Sequence, residues 1–223
     1  MTELTRLVDT AGANSLSYID PAFPESPDGI ARRAASRIRS PDAGCVCPSG
    51  VNRNGRDYRN YWLELVDEAG ILNLRRIPRG VVPEYLWYHF GNLHLKTARP
   101  TRVKPGPLGS TRGYSNSCAQ SVTTRQGYGL FGHSAGGQFV HRMLSLGFRD
   151  RVVIAISANA GTYAMPDLAT PWPFGLGETD VYAEALRALL AFPITVMAGT
   201  EDVLTTGRFF PRGPRSMRQG ANR

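Results

Sequence analysis

Gly132-His133-Ser134-Ala135-Gly136 sets a serine between two glycines in the spacing G-x-S-x-G. A serine hydroxyl attacks a carbonyl carbon only when its oxygen is presented in the open and a base accepts its proton. The spacing suits the first need. A sharp turn from strand to helix lifts the hydroxyl above a sheet, and glycine on either side keeps a Cβ from colliding with the neighbouring strand and helix. An acyl-transfer site further requires an acid, a histidine, and two backbone N–H groups for the oxyanion.

The elements that must hold this turn are visible around it. Gly127-Tyr128-Gly129-Leu130-Phe131 is a short apolar run suited to a buried strand. Residues 137–146 read as a helix closed by a C-terminal glycine, Gly147. Residues 151–158 are strongly apolar and predict a second strand. A loop over 159–179 follows and carries Tyr163, Met165, Trp172 and Phe174. These four either line an acyl pocket or simply cover the sheet. Residues 180–190 read as a helix with Asp180 as its N-cap, and 193–199 as a further buried strand. Strand, helix, strand, helix, strand predicts the α/β class: a mostly parallel sheet flanked by helices.

Upstream the pattern is less regular. Residues 16–19 suggest an early strand. From about 23 to 49 prolines, serines and arginines interrupt any periodicity, with a short strand only around Cys45-Val46-Cys47. Asn54-Gly55 signals a turn, and 56–69 then reads as one amphipathic helix with Tyr58, Trp62, Leu65, Val66 and Ala69 on its apolar face. Ile71-Leu72 opens a strand that Arg75-Arg76 interrupt, where a strand buried on both faces should stay apolar. Tyr85-Leu86-Trp87-Tyr88 is an aromatic cluster suited to a sheet edge. Residues 96–120 are a second irregular stretch, rich in proline, glycine and basic residues.

A chain of 223 residues suits one domain spanning 1–223 with a sizeable core. Its net charge is +8, but the basic residues are scattered and accompany no nucleic-acid-binding signature, so no nucleic-acid partner is expected. Cys45 and Cys47 are too close for an ordinary disulfide, and no second Cys/His pair completes a metal site. No apolar leader opens the chain and no run is long enough for a membrane span, so a cytoplasmic protein without a membrane partner is expected. Oligomeric state leaves no mark on the sequence.

Three blocks carry a family resemblance: residues 50–58, Gly-Val-Asn-Arg-Asn-Gly-Arg-Asp-Tyr; residues 127–143 around the serine; and Ser157-Ala158-Asn159-Ala160-Gly161-Thr162-Tyr163. The final strand with Gly199-Thr200-Glu201-Asp202 adds to them. About half the chain resembles an α/β-hydrolase of the poly(3-hydroxybutyrate) depolymerase-like esterase group. The resemblance implies hydrolysis of a small-molecule carboxylic ester through an acyl-enzyme, with no cofactor and no metal. Ser134 is the implied nucleophile. Asp202 stands in the turn where the family places its triad acid, with Glu201 and Asp167 as weaker alternatives. The implied oxyanion donors are the N–H of Ala135 and the loop at Val51-Asn52. Relatives usually carry His-Gly before that loop; this chain has Ser49-Gly50.

The base is the missing piece. The order Ser…Asp…His calls for a histidine after Asp202, yet His89, His94, His133 and His141 all precede it. His133 adjoins the nucleophile with its ring expected to point away from the attack side. His141 lies two helical turns on, roughly 10 Å along the axis and beyond hydrogen-bond reach. Two explanations compete. In one, the sequence stops short of the histidine-bearing segment; in the other, this is a non-catalytic, hydrolase-like binding protein. The first is the preferred expectation. A companion expectation is that stretches around 30–49, 73–82 and 96–118 are read out of frame. A one-base correction of the coding DNA would then restore strand-like patterns there.

Overall fold

The computed structural model describes residues 12–18, 28–34, 44–48, 50, 55–69, 72–78 and 127–203. Within them seven strands join one sheet: β1 (Gly12–Tyr18), β2 (Asp28–Ala34), β3 (Gly44–Pro48), β4 (Leu72–Pro78), β5 (Tyr128–His133), β6 (Val152–Ala158) and β7 (Ile194–Met197). Their spatial order is β1-β2-β4-β3-β5-β6-β7. Strand β2 is antiparallel to both neighbours. All other pairings are parallel. Four helices are described: α1 (Gly55–Tyr61), α2 (Leu63–Ala69), α3 (Ala135–Ser145) and α4 (Ala183–Leu190). This is the mostly parallel α/β sheet flanked by helices that the strand-helix alternation predicts.

The predicted elements of the second half fall where expected to within a few residues, but β7, expected to be buried, has Val196 56% and Met197 50% exposed. Helix α4 begins at Ala183 with Tyr182 as N-cap and no side-chain capping bond, so Asp180 is not the cap. The Thr179 hydroxyl instead captures the Val181 N–H at 3.3 Å. That local turn keeps 180–182 out of the helix.

Three differences arise in the first half. Strand β2 crosses the stretch where periodicity fails, and β4 continues through Arg75 and Arg76. The two pair antiparallel with each other, although β4 is parallel to β3 on its other side. Such strands tolerate a wet face and need no unbroken apolar run. The single helix predicted over 56–69 is broken at Trp62, whose ring packs edge-on against Phe131 of β5, centroids 4.9 Å apart. Beyond that break the apolar phase changes, and Leu65 is 52% exposed rather than buried. The aromatic cluster at 85–88 and the stretch 96–120 lie outside the described residues.

Helix α3 is buried along its whole length. Phe139, Val140, Met143 and Leu144 fill the core with Leu130 and Trp172. Each such side chain contributes about 1.5–3 kcal/mol on burial. The helix ends as its sequence predicts. Gly147 takes φ +84°, its N–H donates to Leu144 O, and the Phe148 N–H reaches back to Met143 O. That pair of bonds is a Schellman motif.

Candidate active site

Strand β3 has β4 on one side and β5 on the other, so the chain's connections leave β3 and β5 in different directions. In parallel sheets the crevice at such a reversal, outside the carboxyl ends of the strands, is where ligands bind. Gly50 follows β3 there, and Ser134 follows β5.

Ser134 is the entire link between β5 and α3. Its backbone sits at φ 56°, ψ −118°, a conformation that L-residues avoid. Such geometry costs about 1–3 kcal/mol and persists only where the surroundings enforce it. Here the Ser134 N–H is held by Ala158 O of β6 at 2.9 Å, and its carbonyl accepts the Gln138 N–H at 3.0 Å. The flanking glycine lets the helix come this close. A Cβ on Gly132 would stand 2.1 Å from Gly136 O. Ala135, the implied oxyanion donor, is the first helical residue and is 1% exposed. The N–H groups of a first helical turn have no partner within their helix and carry the positive end of its dipole.

The acid candidate lies past the neighbouring strand. Asp202 closes a turn by donating its N–H to Gly199 O at 3.1 Å, and it is half-buried. Asn159, at φ +45° directly after β6, lies beside the same turn: a Cβ on Gly199 would be 3.7 Å from Asn159 Oδ1 and 3.9 Å from Asp202 Cβ. Ser134, Asn159 and Asp202 thus follow three adjacent parallel strands on one edge of the sheet. Glu201 is exposed. Asp167 is occupied in its own loop. Its carboxylate accepts from the Thr170 hydroxyl and from the N–H groups of Ala169 (2.8 Å) and Thr170 (3.0 Å). Those bonds, Thr170's hydroxyl foremost, hold its carboxyl below the usual range.

The two described histidines have other partners. His133 Nδ1 is 3.0 Å from the Tyr58 hydroxyl of α1. That hydroxyl abuts Gly50, where a Cβ would lie only 2.4 Å from it. Helix α1, the end of β3 and the strand-to-helix turn at Ser134 (the elbow) therefore meet at one phenol. His141 is buried with Nδ1 2.8 Å from Gly137 O, and its Nε2 accepts the Ala164 N–H at 2.9 Å. His89, His94, Val51 and Asn52 lie outside the described residues.

The aromatic loop residues separate. Trp172 and Phe174 are buried, Trp172 at 0% within the core cluster. Met165 is 51% exposed. The Tyr163 ring lies 5.3 Å from that of His141.

Sequence reasoning missed the clamp beneath this loop. Gln138, His141, Arg142 and Ser145 form a polar stripe on α3, yet all are buried. Gln138 Oε1 accepts from the Thr162 hydroxyl at 2.7 Å. The Arg142 guanidinium donates to Pro173 O (3.0 Å), Thr162 Oγ1 (3.1 Å) and Thr162 O (3.4 Å), and its Cζ lies 5.9 Å from the Trp172 ring. The signal was the i, i+3, i+4, i+7 spacing of polar residues, which reads equally well as a wet helix face. Among the described residues no group of three or more His, Cys, Asp or Glu side chains is placed to hold a metal ion. No described helix is long and apolar enough to cross a membrane.

No protein-family model matches the sequence, and no curated protein matches it. Solved structures do. A poly(3-hydroxybutyrate) depolymerase from Bordetella parapertussis superposes with a TM-score of 0.87 at 27% identity, over 98% of this chain and 75% of that one. Poly(aspartic acid) hydrolase-1 from Sphingomonas sp. KT-1 gives 0.83 at 28% identity, over 96% of this chain and 81% of that one. An S-formylglutathione hydrolase from Agrobacterium tumefaciens, 14% identical over 85% of this chain and 78% of its own, shares the fold at 0.52. With the strand order and the turn at Ser134 already described, these similarities show that the chain has the α/β-hydrolase fold and resembles the depolymerase-like esterase group.

Proposed function

We propose that this protein is a serine hydrolase scaffold for carboxylic esters, small or oligomeric, working through an acyl-enzyme. The observation that carries the reading is Ser134 itself, a non-glycine residue kept at φ 56° between β5 and α3 on the edge where ligands bind. Of the substrates in the names of the similar structures, poly(3-hydroxybutyrate) is a polyester and agrees with an ester-cleaving site, while poly(aspartic acid) is a polyamide.

In this reading Ser134 Oγ attacks the ester carbonyl. The oxygen that becomes negative is met by the Ala135 N–H and by a second N–H from the Val51-Asn52 loop, which follows buried Gly50. Asp202 orients and stabilises an imidazolium. Ser134 and Asp202 follow strands two places apart, roughly 10 Å at the backbone, so the carboxylate needs an imidazole between itself and the serine. Neither His133 nor His141 serves, since each is tied elsewhere. Without an imidazole the hydroxyl is a weak nucleophile, and losing the triad histidine costs about a million-fold in turnover in a subtilisin-type enzyme. That both described histidines are tied elsewhere also supports a second reading, a non-catalytic relative that binds esters without cleaving them.

A fluorophosphonate probe separates the two. Labelling at Ser134 above a Ser134→Ala control supports an activated nucleophile. Labelling no greater than that control refutes the hydrolase reading for this chain and leaves the binding one.

A further inference from the structure

His141 is a buried titratable group that the proposed chemistry does not use. Its two ring nitrogens face opposite kinds of partner. Gly137 O at 2.8 Å can only accept, and the Ala164 N–H at 2.9 Å can only donate. The proton therefore sits on Nδ1, Nε2 is bare, and the ring is neutral. Gly137 O is held from a second side by the Ser157 hydroxyl at 3.0 Å, which ties this contact to β6. Among the described residues, the titratable and charged groups facing the ring are Arg142, its neighbour on α3, and Tyr163 of the loop. Of the loop's acids, Asp167 is engaged by Ala169 and Thr170, and Glu178 is exposed.

Ala164 belongs to the segment that leaves β6 beside the nucleophile, since Ala158 O holds the Ser134 N–H. We propose that His141 is a positioning residue: its bare Nε2 pins Ala164, and with it the 159–165 wall next to Ser134, and acid opens that wall by protonating the ring. The link to acyl binding rests on the hydrolase reading above; the latch itself is a property of the fold. A proton on Nε2 sets donor against donor at Ala164 and adds a second cation beside Arg142. Burial first, and then the Arg142 charge, push the imidazole pKa well below its ordinary 6.5. The ring accordingly gains its proton only when it has swung out.

The sign follows from linkage. The open form binds the proton and the closed form does not, so the latch is fully held above pH 6.5 and weakens as pH falls below it. The open fraction scales as 1 + 10^(6.5 − pH), a rise of about 30-fold between pH 7.5 and 5.0.

The test is heteronuclear NMR on the ¹⁵N-labelled chain. Long-range imidazole correlations should show the neutral Nδ1–H tautomer at pH 7.5. Protection of the Ala164 amide, taken relative to unstructured-peptide exchange, should fall about 30-fold by pH 5.0. His141→Gln keeps an acceptor but does not titrate, so its Ala164 protection should lose that pH dependence. His141→Leu should lose the protection at both pH values. An Nε2–H tautomer, or the same pH dependence in His141→Gln, overturns the proposal. Should a variant fail to fold, the wild-type tautomer and exchange profile decide alone. Fluorophosphonate labelling of Ser134 at the two pH values is the separate arm: no labelling at either sinks the hydrolase reading, while the tautomer and exchange data still judge the latch.

Discussion

Gly132→Ala tests whether the elbow is held by close packing of backbone against backbone. The added Cβ would lie 2.1 Å from Gly136 O, 2.4 Å from Gly136 C and 2.7 Å from Val140 Cγ2. Two of those atoms are main chain in the first turn of α3, and Val140 is 0% exposed, so no flexible group can swing aside. The helix must withdraw by roughly 1 Å to restore van der Waals contact. Overpacking of this kind costs about 1–3 kcal/mol. Withdrawal also stretches the 2.9 Å bond from Ser134 N–H to Ala158 O, worth about 1 kcal/mol more. The expected loss is about 2–4 kcal/mol, a large part of the roughly 5–15 kcal/mol that holds a domain folded. Gly147→Ala is the matched control. Nothing lies within 4 Å of its added Cβ, and the penalty comes only from φ +84°, about 1 kcal/mol. Urea denaturation of both variants gives the comparison, read from midpoints at unchanged m-value. A Gly132→Ala cost no larger than that of Gly147→Ala would refute the close-approach account of the elbow.

Ser134→Gly should be more stable than Ser134→Ala by about 1 kcal/mol, because glycine accepts φ 56° and alanine does not; equal thermal midpoints would remove strain from the argument. Gly50→Ala meets the Tyr58 hydroxyl at 2.4 Å, so its cost should shrink by about 0.5–1 kcal/mol in a Tyr58→Phe background, despite the loss there of the bond to His133. Strict additivity in that double-mutant cycle would mean that the phenol does not join β3 to the elbow. Arg142→Lys should destabilise by about 2 kcal/mol, since one ammonium cannot serve both Thr162 and Pro173 as the guanidinium fork does. A cost below about 0.5 kcal/mol on denaturation would show that the clamp does not depend on the fork.

The sequence was most readable where burial leaves no choice. Strand β5 and helix α3 pack into the core, β6 does so in part, and all three read as apolar runs with glycine punctuation, so the strand-to-helix turn at Ser134 could be placed from residues alone. Strands β2 and β4 escaped because their backbone pairing across an antiparallel register does not demand apolar side chains, and Arg75 and Arg76 look like a break. The Trp62 break escaped because helical periodicity cannot show that one aromatic will turn onto Phe131. The polar stripe of α3 shows the deeper limit. Gln138, His141, Arg142 and Ser145 have the spacing of a solvated face, and only the return of the 159–177 loop over them makes that face interior. Distance along the helix was enough to reject His141 as the base for Ser134. The same distance carried no hint that this imidazole is the acceptor for Ala164, because a hydrogen bond between residues 23 apart is a fact of packing, not of spacing.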